Sequence, residues 1–291
     1  MPLGAFRVAL PDGSFRWARG DPGDGPRELL PADWSLDRCL GGDRPDLAEA
    51  IAGSTEGHSP RAGRVVAPVE TQEIWAAGVT YLRSREARVE ESVDRTPYDL
   101  VYEAERPELF FKSPGWRARG PGEDIAVRAD SAWNTPEPEL ALVLDAGMRI
   151  VGYTIGDDVS SRSIEGENTL YLPQAKVYDG SCALGPCIVP AGEVAPPFAI
   201  ALEVRRAGAL VYEGTTSTEL MRRSFEELAS YLGRSLAFPA GAILLTGTAL
   251  VPDAPFTLEP GDAVRIAIDG LGALENPVVL VGAAAPDRTG A

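Results

Sequence analysis

The sequence predicts a β-rich α+β protein, on three observations. Short apolar runs bounded by Gly, Pro and Asp recur along most of the chain, as at residues 140–144 and 242–245. Runs of that length between turn signals read as buried strands. Only one long helical signature stands out, at residues 216–233. There Thr216 and Glu219 make a capping box, Leu220, Phe225, Leu228 and Leu232 mark an apolar face, and Gly233 supplies a stop. No internal repeat, P-loop, dinucleotide fingerprint or serine-nucleophile elbow is present.

Taken in order, residues 1–52 alternate β-like pieces (5–9, 14–18) with loops rich in Gly, Pro and Asp, and residues 46–52 predict a short helix. Residues 53–64 read as a linker. The expected division is a small N-terminal module and linker at 1–68, a larger catalytic domain at 69–284, and a tail at 285–291. Residues 65–72 and 74–79 open the larger domain with a continuous apolar run. Residues 81–92 set Arg83, Arg85 and Arg88 against Glu86, Glu90 and Glu91. They read either as a solvated helix laced by ion pairs or as a mobile lid carrying charge to a site. Residues 107–114 predict a strand that delivers Lys112, and residues 159–168 a loop or short helix. Residues 199–205 and 210–212 predict a hairpin, and residues 264–268 and 273–280 flank a Gly-rich reversal.

The chemistry concentrates at residues 135–158. Glu137 and Glu139 are two apart, and in a strand such residues share a face. A turn at Asp145-Ala146-Gly147, followed by an apolar run from Arg149, predicts a hairpin centred near residues 146–147. That register sets Glu139 opposite Thr154 and Glu137 opposite Gly156, with Asp158 just beyond the mouth on the same side. Three converging carboxylates repel unless a cation holds them. Oxygen-only ligands favour a hard ion, Mg²⁺ first, then Mn²⁺ or Ca²⁺. The competing reading is a solvated strand face followed by an ordinary turn.

Composition excludes several classes. A net charge of −16 argues against nucleic acid or an anionic membrane as partner, because phosphate contacts need clustered Lys and Arg. No apolar run approaches a membrane span, and the N-terminal residues lack the pattern of a signal peptide. Cys39, Cys182 and Cys187 have no zinc spacing, which points to reduced thiols and a cytoplasmic location. The one histidine, His58, falls in the linker, so mechanisms built on a His base are disfavoured. Only two of the 27 Lys and Arg residues are lysines, Lys112 and Lys176. Either chance has left them, or they sit where a compact ammonium able to lose its proton is needed.

Five ordered segments carry a resemblance: TPEPELALVL, GYTIGDDVSSRS, LPQAK, LLTGTALVP and EPGDAVRIAIDGLGALEN. They are similar to the fumarylacetoacetate hydrolase superfamily over roughly residues 74–282. The resemblance implies a fumarylacetoacetase C-terminal-like mixed β-sandwich roll, and a homodimer or homotetramer. It places metal ligands at Glu137, Glu139 and Asp158, an active-site lysine at Lys176 and a substrate-contacting threonine at Thr248. Hydrolase members carry an N-Y-x-x-H segment whose His activates water. Here it is Thr80-Tyr81-Leu82-Arg83-Ser84, with Ser84 at the His position. Without that base, hydrolysis lacks a driver and elimination is favoured.

The segments ENTLYLPQAKVYDGSCALGP and TYLRSREAR resemble the sugar-acid dehydratase branch of the superfamily. The implied reaction is Mg²⁺-dependent dehydration of a 2-keto-3-deoxy sugar acid, 2-dehydro-3-deoxy-D-arabinonate to 2,5-dioxopentanoate and water, through an enolate. Lys176 would transfer a proton or stabilise the enolate, and Glu108 or Glu86 would protonate the leaving hydroxyl. Tyr81, Arg83, Ser84, Lys112 and Thr248 would hold the substrate. The alternatives are a C–C hydrolase of the acylpyruvate or fumarylacetoacetate type, a β-keto-acid decarboxylase, and a non-catalytic metal- or ligand-binding protein.

Overall fold

A computed structural model describes residues 2–42, 46–60, 63–82, 96–252 and 254–282. Among these residues the largest feature is a mixed ten-stranded sheet. From edge to edge it runs Gly25–Leu29, Phe15–Asp21, Gly4–Ala9, Cys182–Pro190, Ile150–Asp158, Pro138–Leu144, Ala242–Leu245, Glu73–Gly78 and Glu108–Pro114, with Arg64–Val66 also on Gly4–Ala9. All pairings in it are antiparallel except Ala242–Leu245 with Glu73–Gly78. The N-terminal strands continue this sheet, because Ala5 pairs with Ile188.

A second, five-stranded sheet runs Ala209–Ser217, Ala199–Arg206, Asp262–Ile268, Gly272–Val281 and Ile125–Arg128. Its inward residues Ile200, Leu202, Val204, Val264, Ile266 and Ile268 pack with Leu140, Leu142, Leu144, Ile155 and Val189 of the large sheet. Ala141 and Val143 face the other way, into a separate cluster. That cluster is closed by Leu36 and Leu40 of the helix Leu36–Leu40 and by Leu47 and Ile51 of the helix Leu47–Ala52. Asp46 caps the second of these, accepting from the Ala48 N–H at 2.7 Å.

The strand Pro138–Leu144 is therefore buried on both faces. This explains why it reads as an unbroken apolar run. Strand alternation puts Glu139 on the face of Ala141 and Val143, at the end of that row.

Two sequence expectations need correction. The hairpin register is shifted: Glu139 pairs with Gly156 and Ala141 with Thr154. The reversal passes through Met148 in the left-handed region (φ 61), and an irregularity between Ile150 and Gly152 adds a residue. The helix expected at 216–233 is only Phe225–Leu232. Thr216 belongs to the strand Ala209–Ser217, paired with Ile200, and Thr218–Leu220 is a 3₁₀ turn. The working cap is Ser224, whose side chain accepts from the Glu227 N–H at 3.1 Å. The ladder to Ala199–Arg206 satisfies the backbone of residues 209–217, so the apparent capping box at Thr216 never starts a helix.

Candidate active site

Three carboxylates meet where the hairpin strands end. Asp158 lies beside Glu137, its N–H donating to the Glu137 carbonyl at 3.0 Å, and Glu139 follows two residues along the same face. All three are buried, and one oxygen from each falls within 4.8 Å of the others. Burial, with the charges of Asp158 and Glu137, raises the Glu139 pKa well above the ordinary carboxylate range. The Gly247 N–H at 2.6 Å and the charge of Lys176 oppose that rise.

Among the described residues, three cations surround the cluster. Lys176 Nζ donates to Glu137 Oε2 at 2.9 Å, Asp158 Oδ2 at 3.0 Å and Ser160 Oγ at 2.5 Å. Lys176 ends the short helix Leu172–Lys176. Its ammonium also stands 5.6 Å from the centre of the Phe110 ring. Arg162 Nε lies 3.2 Å from Glu137 Oε1. Lys112 Nζ pairs with Asp158 Oδ1 and donates to the carbonyls of Val159 at 3.1 Å and Lys176 at 2.6 Å. These three acceptors match the donors of an ammonium. Lys112 thus stands behind Asp158, fully buried and off the cavity wall.

The cavity is lined by Glu108, Phe110, Arg162, Glu165, Lys176 and Thr248 together with the triad. The carboxyl group of Glu108 packs over Gly78, where a Cβ would lie 2.0 Å from Glu108 Oε2. The Thr248 hydroxyl accepts from the Leu250 N–H at 3.0 Å. Tyr81 is buried, and burial together with the Glu139 charge raises its phenol pKa. Glu86, Arg83 and Ser84 lie outside the described residues.

Two positions on the cavity wall adopt positive φ. Gly247 has φ +90, and a Cβ there would come within 2.1 Å of Thr80 Oγ1, so only glycine brings this N–H to Glu139. Val79 has φ 52, a costly conformation for a β-branched residue and one that concentrates at functional sites.

Sequence reasoning missed Arg162, Glu165, Ser160, Asp157 and Gly247. Arg162 sits four residues after Asp158 in GDDVSSRS, and that proximity was the available signal. Asp157 points to the opposite face of its strand from Asp158. Its Oδ1 accepts the Glu137 N–H at 3.0 Å, and burial pushes its carboxyl up to about 8.

A body built on two large mixed sheets with a buried all-oxygen triad at a strand end defines a class of protein. A model described as fumarylacetoacetate (FAA) hydrolase C-terminal matches residues 73–279, and the chain belongs to this family. Its strand-rich, mixed-sheet architecture is the fold of that family. The chain is 53% identical over 216 residues to a probable 2-keto-3-deoxyxylonate dehydratase of Haloferax volcanii, covering 74% of each chain. It is 48% identical over 221 residues to 2-dehydro-3-deoxy-D-arabinonate dehydratase of Saccharolobus solfataricus, again covering 74% of each. A solved structure of 2-keto-3-deoxy-D-arabinonate dehydratase with magnesium and 2,5-dioxopentanoate superposes with a TM-score of 0.81 at 37% identity. The match covers 97% of this chain and 99% of the other.

Proposed function

We propose that this chain is a magnesium-dependent hydro-lyase that converts 2-dehydro-3-deoxy-D-arabinonate into 2,5-dioxopentanoate and water. The observation that carries the reading is the buried triad Glu137, Glu139 and Asp158 with Lys176 at its edge. Buried, oxygen-only donors at this spacing fit a hard divalent ion. The relatives' dehydratase names and the magnesium and product in the structural neighbour support the same assignment.

A bound ion would supply Lewis-acid withdrawal of charge from the substrate's 2-keto group, which would acidify the adjacent C3. Glu137, Glu139 and Asp158 would hold it. The Lys176 ammonium, against the cage and the cavity at once, holds the substrate oxygen that gains negative charge as C3 loses its proton. Glu108, at the cavity wall, takes the C3 proton as a carboxylate and returns it to the C4 hydroxyl as the C4–O bond breaks, so the group leaves as water. Tautomerisation of the unsaturated keto acid gives the semialdehyde. Thr248 and Arg162 line the space for the substrate's carboxylate and hydroxyls.

The family match over 73–279 supports placing this chemistry in residues 69–284, apart from the N-terminal module and linker at 1–68. Exposed Trp116, Leu170 and Leu280 support a homodimer or homotetramer, which light scattering tests. Cys182 and Cys187, buried as free thiols, support a reducing, cytoplasmic location. No helix among the described residues is long and apolar enough to cross a membrane.

The deciding assay incubates the protein and Mg²⁺ with 2-keto-3-deoxypentonates and, separately, with acylpyruvates. The expected product is 2,5-dioxopentanoate from the first. Release of a carboxylic acid or CO₂ without semialdehyde would move the assignment to C–C hydrolysis or decarboxylation.

A further inference from the structure

We propose that Lys176 is the resident cation of the acidic cage in the metal-free protein. Metal binding then drives its ammonium off Glu137 and Asp158 and turns it toward the substrate. The inference rests on the metal reading above and adds an order of events to it.

Each of these two carboxylates has one oxygen held from outside the cage. Arg162 lies at Glu137 Oε1, and Lys112 pairs with Asp158 Oδ1. The second oxygens, Glu137 Oε2 and Asp158 Oδ2, converge on Lys176 Nζ at 2.9 and 3.0 Å. Both carboxylates belong, with Glu139, to the group whose oxygens lie within 4.8 Å of one another. A divalent ion taking those two oxygens meets an ammonium already on them, in a buried setting that screens their repulsion poorly. The two cations compete.

Lys176 has a place to go and Lys112 does not. The Lys176 ammonium keeps Ser160 Oγ at 2.5 Å and the Phe110 face at 5.6 Å while facing the cavity shared with Glu108 and Thr248. Lys112 is fully buried, with its donors on Asp158 and on two main-chain carbonyls. Losing the carboxylates therefore frees Lys176 donors for a substrate oxygen, and only after the metal is in place. Metal enters first and the keto acid second. By linkage, a keto acid that engages the released ammonium tightens the metal.

The test is calorimetric titration of Mg²⁺, with Mn²⁺ followed in parallel by its paramagnetic signal, into the full-length wild type, Lys176→Met and Lys176→Arg. Circular dichroism first establishes that each is folded. Lys176→Met is expected to bind either ion about tenfold tighter than wild type, within the usual range of coupling between sites. Lys176→Arg, which keeps the charge, is expected to stay within about threefold of wild type, a small fraction of that coupling. Should Lys176→Met fail to fold, Lys176→Gln takes its place with the same expectation. Equal or weaker binding by the uncharged variant would show that the lysine organises the cage, and would overturn the proposal while leaving the metal reading intact. Absence of binding in every protein, wild type included, would overturn both.

Discussion

The main-chain N–H of Gly247 donates to Glu139 Oε2 at 2.6 Å, joining residues 108 positions apart in the chain. The donor comes from the loop after Ala242–Leu245, the strand paired with Pro138–Leu144, so sheet register delivers it. This bond favours the ionised carboxylate and so opposes the rise that burial, Asp158 and Glu137 impose on Glu139.

Gly247→Ala should damage fold and site together. The new Cβ meets Thr80 Oγ1 at 2.1 Å at a φ of +90, so backbone strain alone costs about 1–3 kcal/mol. Urea unfolding is expected to show at least that loss, and calorimetry weaker Mg²⁺ binding. Unchanged values for both would mean that the loop relaxes freely.

Glu139→Gln should trade activity for stability. Burial and two neighbouring carboxylates disfavour the charge on Glu139 in the metal-free protein, so a neutral isostere relieves repulsion. The melting temperature measured in chelator should rise. Turnover should drop on the order of 10²–10³-fold, the range for losing one group that stabilises developing charge. A fall in melting temperature would contradict the electrostatic account.

The metal-free protein should lose stability as pH rises. Asp157 goes from an ordinary value of 3.8 to about 8 in the fold, and Glu139 moves in the same direction. Between those limits the folded state holds a proton that the unfolded state has released, so stability is full below pH about 4 and declines toward pH about 8. The slope is up to about 1.4 kcal/mol per pH unit for each such proton. Asp157→Asn retains an oxygen for the Glu137 N–H and removes its share of the slope. Thermal melts in chelator from pH 5 to 8 check this; equal slopes for both proteins would exclude Asp157 as a source.

Lys112→Met should be harmful to folding although Lys112 lies off the cavity wall. The change leaves the Asp158 carboxylate without its Lys112 partner, and the Val159 and Lys176 carbonyls without this donor. Breaking one side of a buried ion pair costs about 3–5 kcal/mol. Denaturant titration measures it, and a loss below about 1 kcal/mol, the scale of an exposed pair, would place Lys112 at the surface in solution.

The misplaced helix shows where local pattern stops being informative. Thr216 with Glu219 and Ser224 with Glu227 present the same S/T-x-x-E spacing. The pairing of Thr216 with Ile200 in the ladder beside it gives only the second pair a helix to cap. The hairpin shows the complementary case. Its strands and its shared acidic face follow from alternation, yet a left-handed Met148 and one irregularity moved the register.

Reading residues in order was enough to gather Glu137, Glu139 and Asp158, because two adjacent strands joined by a short turn are local structure and a period of two fixes their common face. It was also enough to mark the two lysines as unusual by their rarity. Folding alone separated their roles. Lys112 and Lys176 stand 64 positions apart, and only the packed chain seats one behind Asp158 and the other between Asp158 and Glu137. Arg162 against Glu137 and Gly247 against Glu139 arise the same way. Contacts between distant segments depend on strand order and on the direction each side chain leaves its element, and neither is written in spacing along the chain.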